Sequence, residues 1–157
     1  MNVEDLERLI TERSLIRQTF DEAQIAGFWA KAVASYRDAR VAGISADGRL
    51  QLAYTAGLQA TFAALAARGL RVKSTAGHFK AFYALQKLGD PALRTYAVRF
   101  DELRAIRHES IYEPEEDDTE IVNRLADALA LLDEAMPAIR RWLLREHPAV
   151  AAALTPP

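Results

Sequence analysis

The sequence predicts an all-α protein, an up-and-down bundle of five to six helices forming a single domain over residues 1–157. Three observations carry this. Apolar residues recur at steps of three and four through most of the chain, the period of a helix with one buried face. No stretch shows a sustained alternation of β-branched residues, or a hairpin dipeptide between two such runs, that would read as strand. Half of the 157 residues are hydrophobic, which is enough material for one core and calls for no second domain.

The first element reads as a short amphipathic helix over about residues 3–16, with Val3, Leu6, Leu9 and Ile10 inward and Glu4 and Asp5 near the favourable end of its dipole. The bundle proper is expected over about residues 20–146. Thr19 and Glu22 have the spacing of a capping box, opening a second helix that carries Ile25, Phe28, Trp29, Val33 and Tyr36 inward and ends near Gly43. The linker GISADG is made of turn and cap formers. A third helix runs from about Arg49 to Arg68. Its small residues, among them Ala53, Ala56, Gly57, Ala60 and Ala64, let neighbouring helices approach closely on almost any side.

Gly69 supplies a natural C-cap, and a fourth helix, from about Thr75 to Leu88, bears Phe79, Phe82, Tyr83 and Leu85. Gly89 closes it, Asp90 can cap the next, and Pro91 stands at the first helical position, where proline is tolerated best. The fifth helix is expected to stop at Pro114, because the residue before a proline is biased away from helical geometry. Glu113, Glu115, Glu116, Asp117, Asp118 and Glu120 then form an acidic run that solvates a loop and favours the start of the last helix. That helix, about Thr119 to Glu146, aligns Ile121, Leu125, Ala128, Leu132, Ile139 and Leu143, with a kink expected at Pro137. Residues 148–157 read as a flexible tail.

The net charge of −2 excludes a protein that coats nucleic acid or membrane by bulk charge. The absence of cysteine removes disulfides, thiolate nucleophiles and sulfur-ligated metals. The N-terminus, MNVEDLERLI, is acidic and lacks a long apolar run, so neither a secretory signal nor a membrane span is predicted and the expected location is cytoplasmic. Charge is uneven, however. From Arg68 to Arg107 nine basic residues stand against three acidic ones, a surplus of six. This reads either as a basic patch for phosphate groups or as ordinary exposed helix charges.

HExxH, the P-loop glycine pattern, GxGxxG and GxSxG are all absent, which leaves no support for a zinc peptidase, a P-loop protein, a dinucleotide fold or a hydrolase elbow. No metal site and no cofactor is predicted. His78 reads as structural or surface, and His147 as a helix C-terminal residue favoured by the dipole.

The most informative stretch is FDELRAIRHESIYEP, from Phe100 to Pro114. Helical spacing places Tyr96, Phe100, Leu103 and Ile111 on one face with Arg107 in its middle. An arginine aimed at a core is costly unless it is paired, hydrated or met from outside. One reading has Arg107 snorkel or meet a carboxylate of the last helix, such as Asp127 or Asp133. The other is a polar groove between helices, with Arg104 on its flank and His108 and Tyr112 around the helix end. There His108 could act in acid–base chemistry on a phosphodiester while Arg107 stabilises the developing charge.

The succession YTAGLQATFAALAARGLRVK, STAGHFKAF and LRAIRHESIYEPEED resembles the HEPN domain superfamily over about Phe20 to Leu144. Tyr54, Ala64 to Gly69, His78, Phe82, Arg107 and Tyr112 fill the family's places. The resemblance implies a bundle of about five helices, commonly a homodimer, with an R-x4–6-H motif at the dimer interface that cleaves RNA in active members. Many members are partnered by a minimal nucleotidyltransferase in toxin–antitoxin pairs, and others bind nucleotides or partner proteins without catalysis. Arg107 matches the motif arginine, His108 stands where a small polar residue follows it, and Tyr112 stands where active members carry histidine. A tyrosine, ionising near pH ~10, does not replace a histidine that titrates near neutrality.

The function these readings imply is a HEPN-like binding or interaction protein of toxin–antitoxin or nucleotide-binding type. Arg104, Arg107, His108 and Tyr112 would hold a nucleotide, an RNA or a partner's acidic group. The alternatives are a metal-independent ribonuclease with Arg107 and His108 as catalytic residues in a dimeric site, and a purely structural helical bundle.

Overall fold

One helix, Ala46–Ala67 (α3), forms the centre of the molecule. In a computed structural model, which describes residues 2–112 and 118–157 and only the backbone of 110–112, it packs against four other helices. These are Glu22–Asp38 (α2), His78–Gln86 (α4), Pro91–Tyr112 (α5) and Asp118–Glu146 (α6). A helix can have neighbours on so many sides only if it carries little bulk, and Ala53, Ala56, Ala60, Ala63 and Ala64 are all fully buried. Gly57 is needed for the closest approach. A Cβ built there would stand 2.9 Å from Cδ1 of Phe100 on α5, so the ring lies directly on the α3 backbone. The expected all-α class holds in its main lines, with α2 and α6 burying Trp29, Ile25, Leu132, Ile139 and Leu143 against α3.

Several helix ends follow from capping chemistry. Asp90 Oδ1 accepts hydrogen bonds from the backbone N–H groups of Ala92 and Leu93, at 2.9 and 3.1 Å, so it caps α5 with Pro91 as its first residue, as the sequence predicts. Ser45 caps α3 by accepting from Gly48 N at 3.1 Å, which starts that helix three residues earlier than Arg49. The box that opens α2 is not Thr19 with Glu22. Asp21 accepts from Gln24 N at 2.8 Å and Gln24 Oε1 accepts from Asp21 N at 3.0 Å, since a glutamine at the third position returns the bond as well as a glutamate does. That helix ends at Asp38, before Gly43. The fourth helix is shorter than expected, because Ser74–Ala76 form a separate 3-10 turn and Gly77 adopts a positive φ of 77° ahead of His78.

Two larger expectations fail as well. The first helix (α1) spans Val3–Thr11 rather than reaching residue 16, because Arg13 adopts a left-handed φ of 59°. The chain then enters a strand, Leu15–Arg17 (β1), which pairs antiparallel with Leu70–Val72 (β2), matching Leu15 with Val72 and Arg17 with Leu70. Three-residue strands are too short to display an alternation, which is why the sequence concealed them. The second failure is the tail. Residues 148–153 form a 3-10 helix that buries Val150, and the chain beyond it buries Leu154. The indole Nε1–H of Trp29 donates to the Thr155 carbonyl at 2.7 Å, and Arg140 donates to that of Leu154 at 3.0 Å. A buried indole N–H needs such a partner, and the tail supplies it.

The helical structure of α6 runs unbroken through Pro137. Among the described residues no helix is long and apolar enough to cross a membrane. The expected stop at Pro114, the acidic residues Glu113, Glu115, Glu116 and Asp117, and the side chains of Ile111 and Tyr112 lie outside the described residues.

Candidate functional site

The inward face of α5 changes character along its length. Phe100 and Leu103 are buried, and one turn further on the same face arrives at Arg107, which is half-buried. Opposite it, on the N-terminal half of α3, stand Gln51 and Tyr54, three residues apart and therefore neighbours on one helical face. The guanidinium Nε–H of Arg107 donates to Gln51 Oε1, and its central carbon lies 4.8 Å from the centre of the Tyr54 ring. That is cation–π geometry, which fixes the plane of the guanidinium without neutralising it.

Asp133 is not its partner. That carboxylate is taken by Tyr36 and Arg40 of α2. Among the described residues Arg107 makes no ion pair with a carboxylate, and this overturns the reading in which the last helix satisfies it. Arg104 reaches the same region already paired, its Nε 2.6 Å from Asp101 Oδ1 and its guanidinium over the exposed Phe79 ring at 5.8 Å.

The hydroxyl of Tyr54 meets Nδ1 of His78, the first residue of α4. Gly77, at its positive φ, turns the chain so that this residue opens the helix beside α3. Burial pushes the Tyr54 phenol up to about 12, with the two arginines opposing the shift. Burial also holds His78 below its ordinary value, reinforced by the positive charges of Arg107 and Arg104. Both shifts favour the same state, a neutral phenol hydrogen-bonded to a neutral imidazole. With the hydroxyl as donor the imidazole carries its proton on Nε2 and donates there, and with Nδ1–H as donor Nε2 is an acceptor. Gln51 Nε2 is buried without a hydrogen-bond partner. The arrangement thus offers N–H donors and positive charge, and no anion of its own among Arg107, Gln51, Tyr54 and His78.

His108 follows Arg107 on α5 and is exposed. The histidine that shares the Tyr54 cluster with Arg107 is instead His78, for which the sequence predicts a structural or surface role, and Gln51 is not among the residues the sequence singles out. The available signal for Gln51 was its spacing of three from Tyr54, which puts a polar side chain on an inward face.

The linear basic surplus is largely neutralised by the fold. Of the nine residues, Arg68, Lys80, Lys87, Arg99 and Arg104 pair with Glu146, Glu12, Asp5, Glu134 and Asp101. No group of acidic, histidine or cysteine side chains among the described residues could hold a metal ion. The chain matches no family model, no curated protein and no solved structure.

Proposed function

We propose that this chain is a HEPN-like binding protein whose site between α3, α4 and α5 takes the phosphate of a nucleotide or of a short RNA. The observation that carries the reading is Arg107: a half-buried guanidinium, oriented by Gln51 and Tyr54, with no carboxylate against it among the described residues. Leaving a charge partly desolvated and unneutralised costs stability. An incoming phosphate recovers that cost, since its oxygens can take two parallel N–H bonds from one guanidinium. Gln51 Nε2 adds a donor of the kind phosphate oxygens accept, and His78 Nε2 adds another in the tautomer whose Nδ1 accepts from Tyr54. Tyr54, His78 and Arg107 are also among the positions on which the HEPN resemblance rests, and their meeting in space supports it. A homodimer and a nucleotidyltransferase partner belong to the same reading.

The second reading is metal-independent RNA cleavage. One observation favours it: a histidine, His78, shares the Tyr54 cluster with the motif arginine. Against it, Nδ1 of His78 is already engaged with the Tyr54 hydroxyl, which leaves one ring nitrogen for any exchange of protons with a substrate.

Thermal melts of wild type and Arg107→Ala against a panel of mononucleotides and short RNAs test the first reading. Wild type should rise in melting temperature with at least one phosphate-bearing ligand, and the variant should lose that response. A wild type indifferent to the whole panel contradicts it. RNA cleavage by wild type, abolished in His78→Ala or His108→Ala, would transfer the conclusion to the second reading.

A further inference from the structure

A concavity of about 610 Å³ opens beside Gly77 and His78, which help to line it. It lies between α2, the C-terminal half of α3 and the strand β2. Three phenylalanines line it and meet edge to face, Phe20 with Phe28 and Phe28 with Phe62, each pair at 6.0 Å between ring centres. Lys31, Arg71 and Lys73 also line it, and no aspartate or glutamate among the described residues does. Among the described residues the Arg71 guanidinium hydrogen-bonds to the neutral Gln18 side chain, at 3.2 Å. The volume suits a small molecule rather than a helix or a strand, and an apolar lining with a few charged groups of one sign is the usual make-up of a ligand pocket.

We infer that this groove is a binding site for a small amphipathic anion, an apolar or aromatic body bearing one carboxylate or phosphate. The body rests on the phenylalanine wall, and the charge faces Lys31, Arg71 and Lys73, which meet no internal acid in the groove. His78 lines this groove as well, but the inference rests on the phenylalanines and on Lys31, Arg71 and Lys73 rather than on the phosphate reading of Arg107.

Gly27 provides the test. It lines the groove from α2, and a Cβ placed there meets nothing within 4 Å, so Gly27→Leu starts a side chain in open space at the groove wall and raises local helix propensity. The probe is anilinonaphthalene sulfonate followed by fluorescence, compared with the uncharged N-phenylnaphthylamine. An aromatic carboxylate, a medium-chain fatty carboxylate and the matching alkyl phosphate serve as competitors that separate the possible bodies and headgroups. Saturable one-to-one binding of the sulfonate is expected, with the uncharged analogue and the Arg71→Gln/Lys73→Gln double variant each roughly tenfold weaker and Gly27→Leu binding neither dye. Equal binding of the charged and uncharged dyes, or sulfonate binding that survives Gly27→Leu, overturns the inference. Arg107→Ala should leave this binding intact, so failure here and failure at Arg107 read out separately.

Discussion

The two halves of the seam between α3 and α5 are built in opposite ways. At Gly57 and Phe100 the helices close as tightly as backbone and ring allow, with Phe100 1% exposed. Six residues back along α3 and seven forward along α5, the same two helices meet through Gln51 and Arg107, a half-buried polar contact with a donor of Gln51 left unpaired. A bundle that needed only to hold together would have continued the first pattern, because replacing buried ionic groups by apolar ones of similar size is commonly neutral or stabilising. The apolar half therefore accounts for the packing, and the polar half is where the proposed ligand would act.

If that division is right, the apolar half should be far more sensitive to substitution. Phe100→Ala should cost about 3–5 kcal/mol, the range for a large aromatic removed from a core, measured by denaturant unfolding. Gly57→Ala adds a single methyl group against the Phe100 ring and should cost about 1–3 kcal/mol by overpacking. A change near zero would mean that the ring can step aside and that the seam is looser than described.

The polar half should respond to pH more than to deletion. His78 is held below its ordinary value, so as pH falls the unfolded chain binds a proton at this site before the folded chain does. Stability should then decline as pH drops below about 6.5 and level off once the folded histidine is itself protonated. His78→Gln should remove that part of the slope in a series of melts, and an unchanged slope would place its origin elsewhere. Tyr54 has the opposite sign. The unfolded phenol ionises near pH ~10 and the folded one near 12, so stability is lost as pH rises through that interval, and Tyr54→Phe should flatten it. The smallest effect belongs to Arg107→Met, which should move the melt of the ligand-free protein by no more than about 1 kcal/mol in either direction.

Much of this division was legible in the sequence. The small residues of α3 announced close packing, Asp90 and Pro91 marked where α5 begins, and helical spacing put Arg107 on the inward face of Phe100 and Leu103. What escaped was set by contacts distant in sequence. Nothing local to Leu15–Arg17 or Leu70–Val72 says that each will find the other. The alanine-rich tail has no amphipathic signature, and its order comes from the Trp29 indole more than a hundred residues away. His78 looked like any surface histidine until Gly77 turned it toward Tyr54. The HEPN resemblance placed Tyr54, His78 and Arg107 at family positions but could not supply Gln51, which enters only through its bond to Arg107.

The central claim is that Arg107 is held ready for an anion from outside the chain, and the Nε–H of that side chain reports on it directly. In an NMR spectrum of arginine-labelled protein, one Nε–H signal should be displaced by the Tyr54 ring current, protected from exchange by Gln51, and absent from Arg107→Met. On titration with a nucleoside monophosphate or a short RNA that signal should move saturably, and less so at high salt. If it stays still across the titration, whether or not other arginines shift, Arg107 is a structural residue and the site proposed here does not exist.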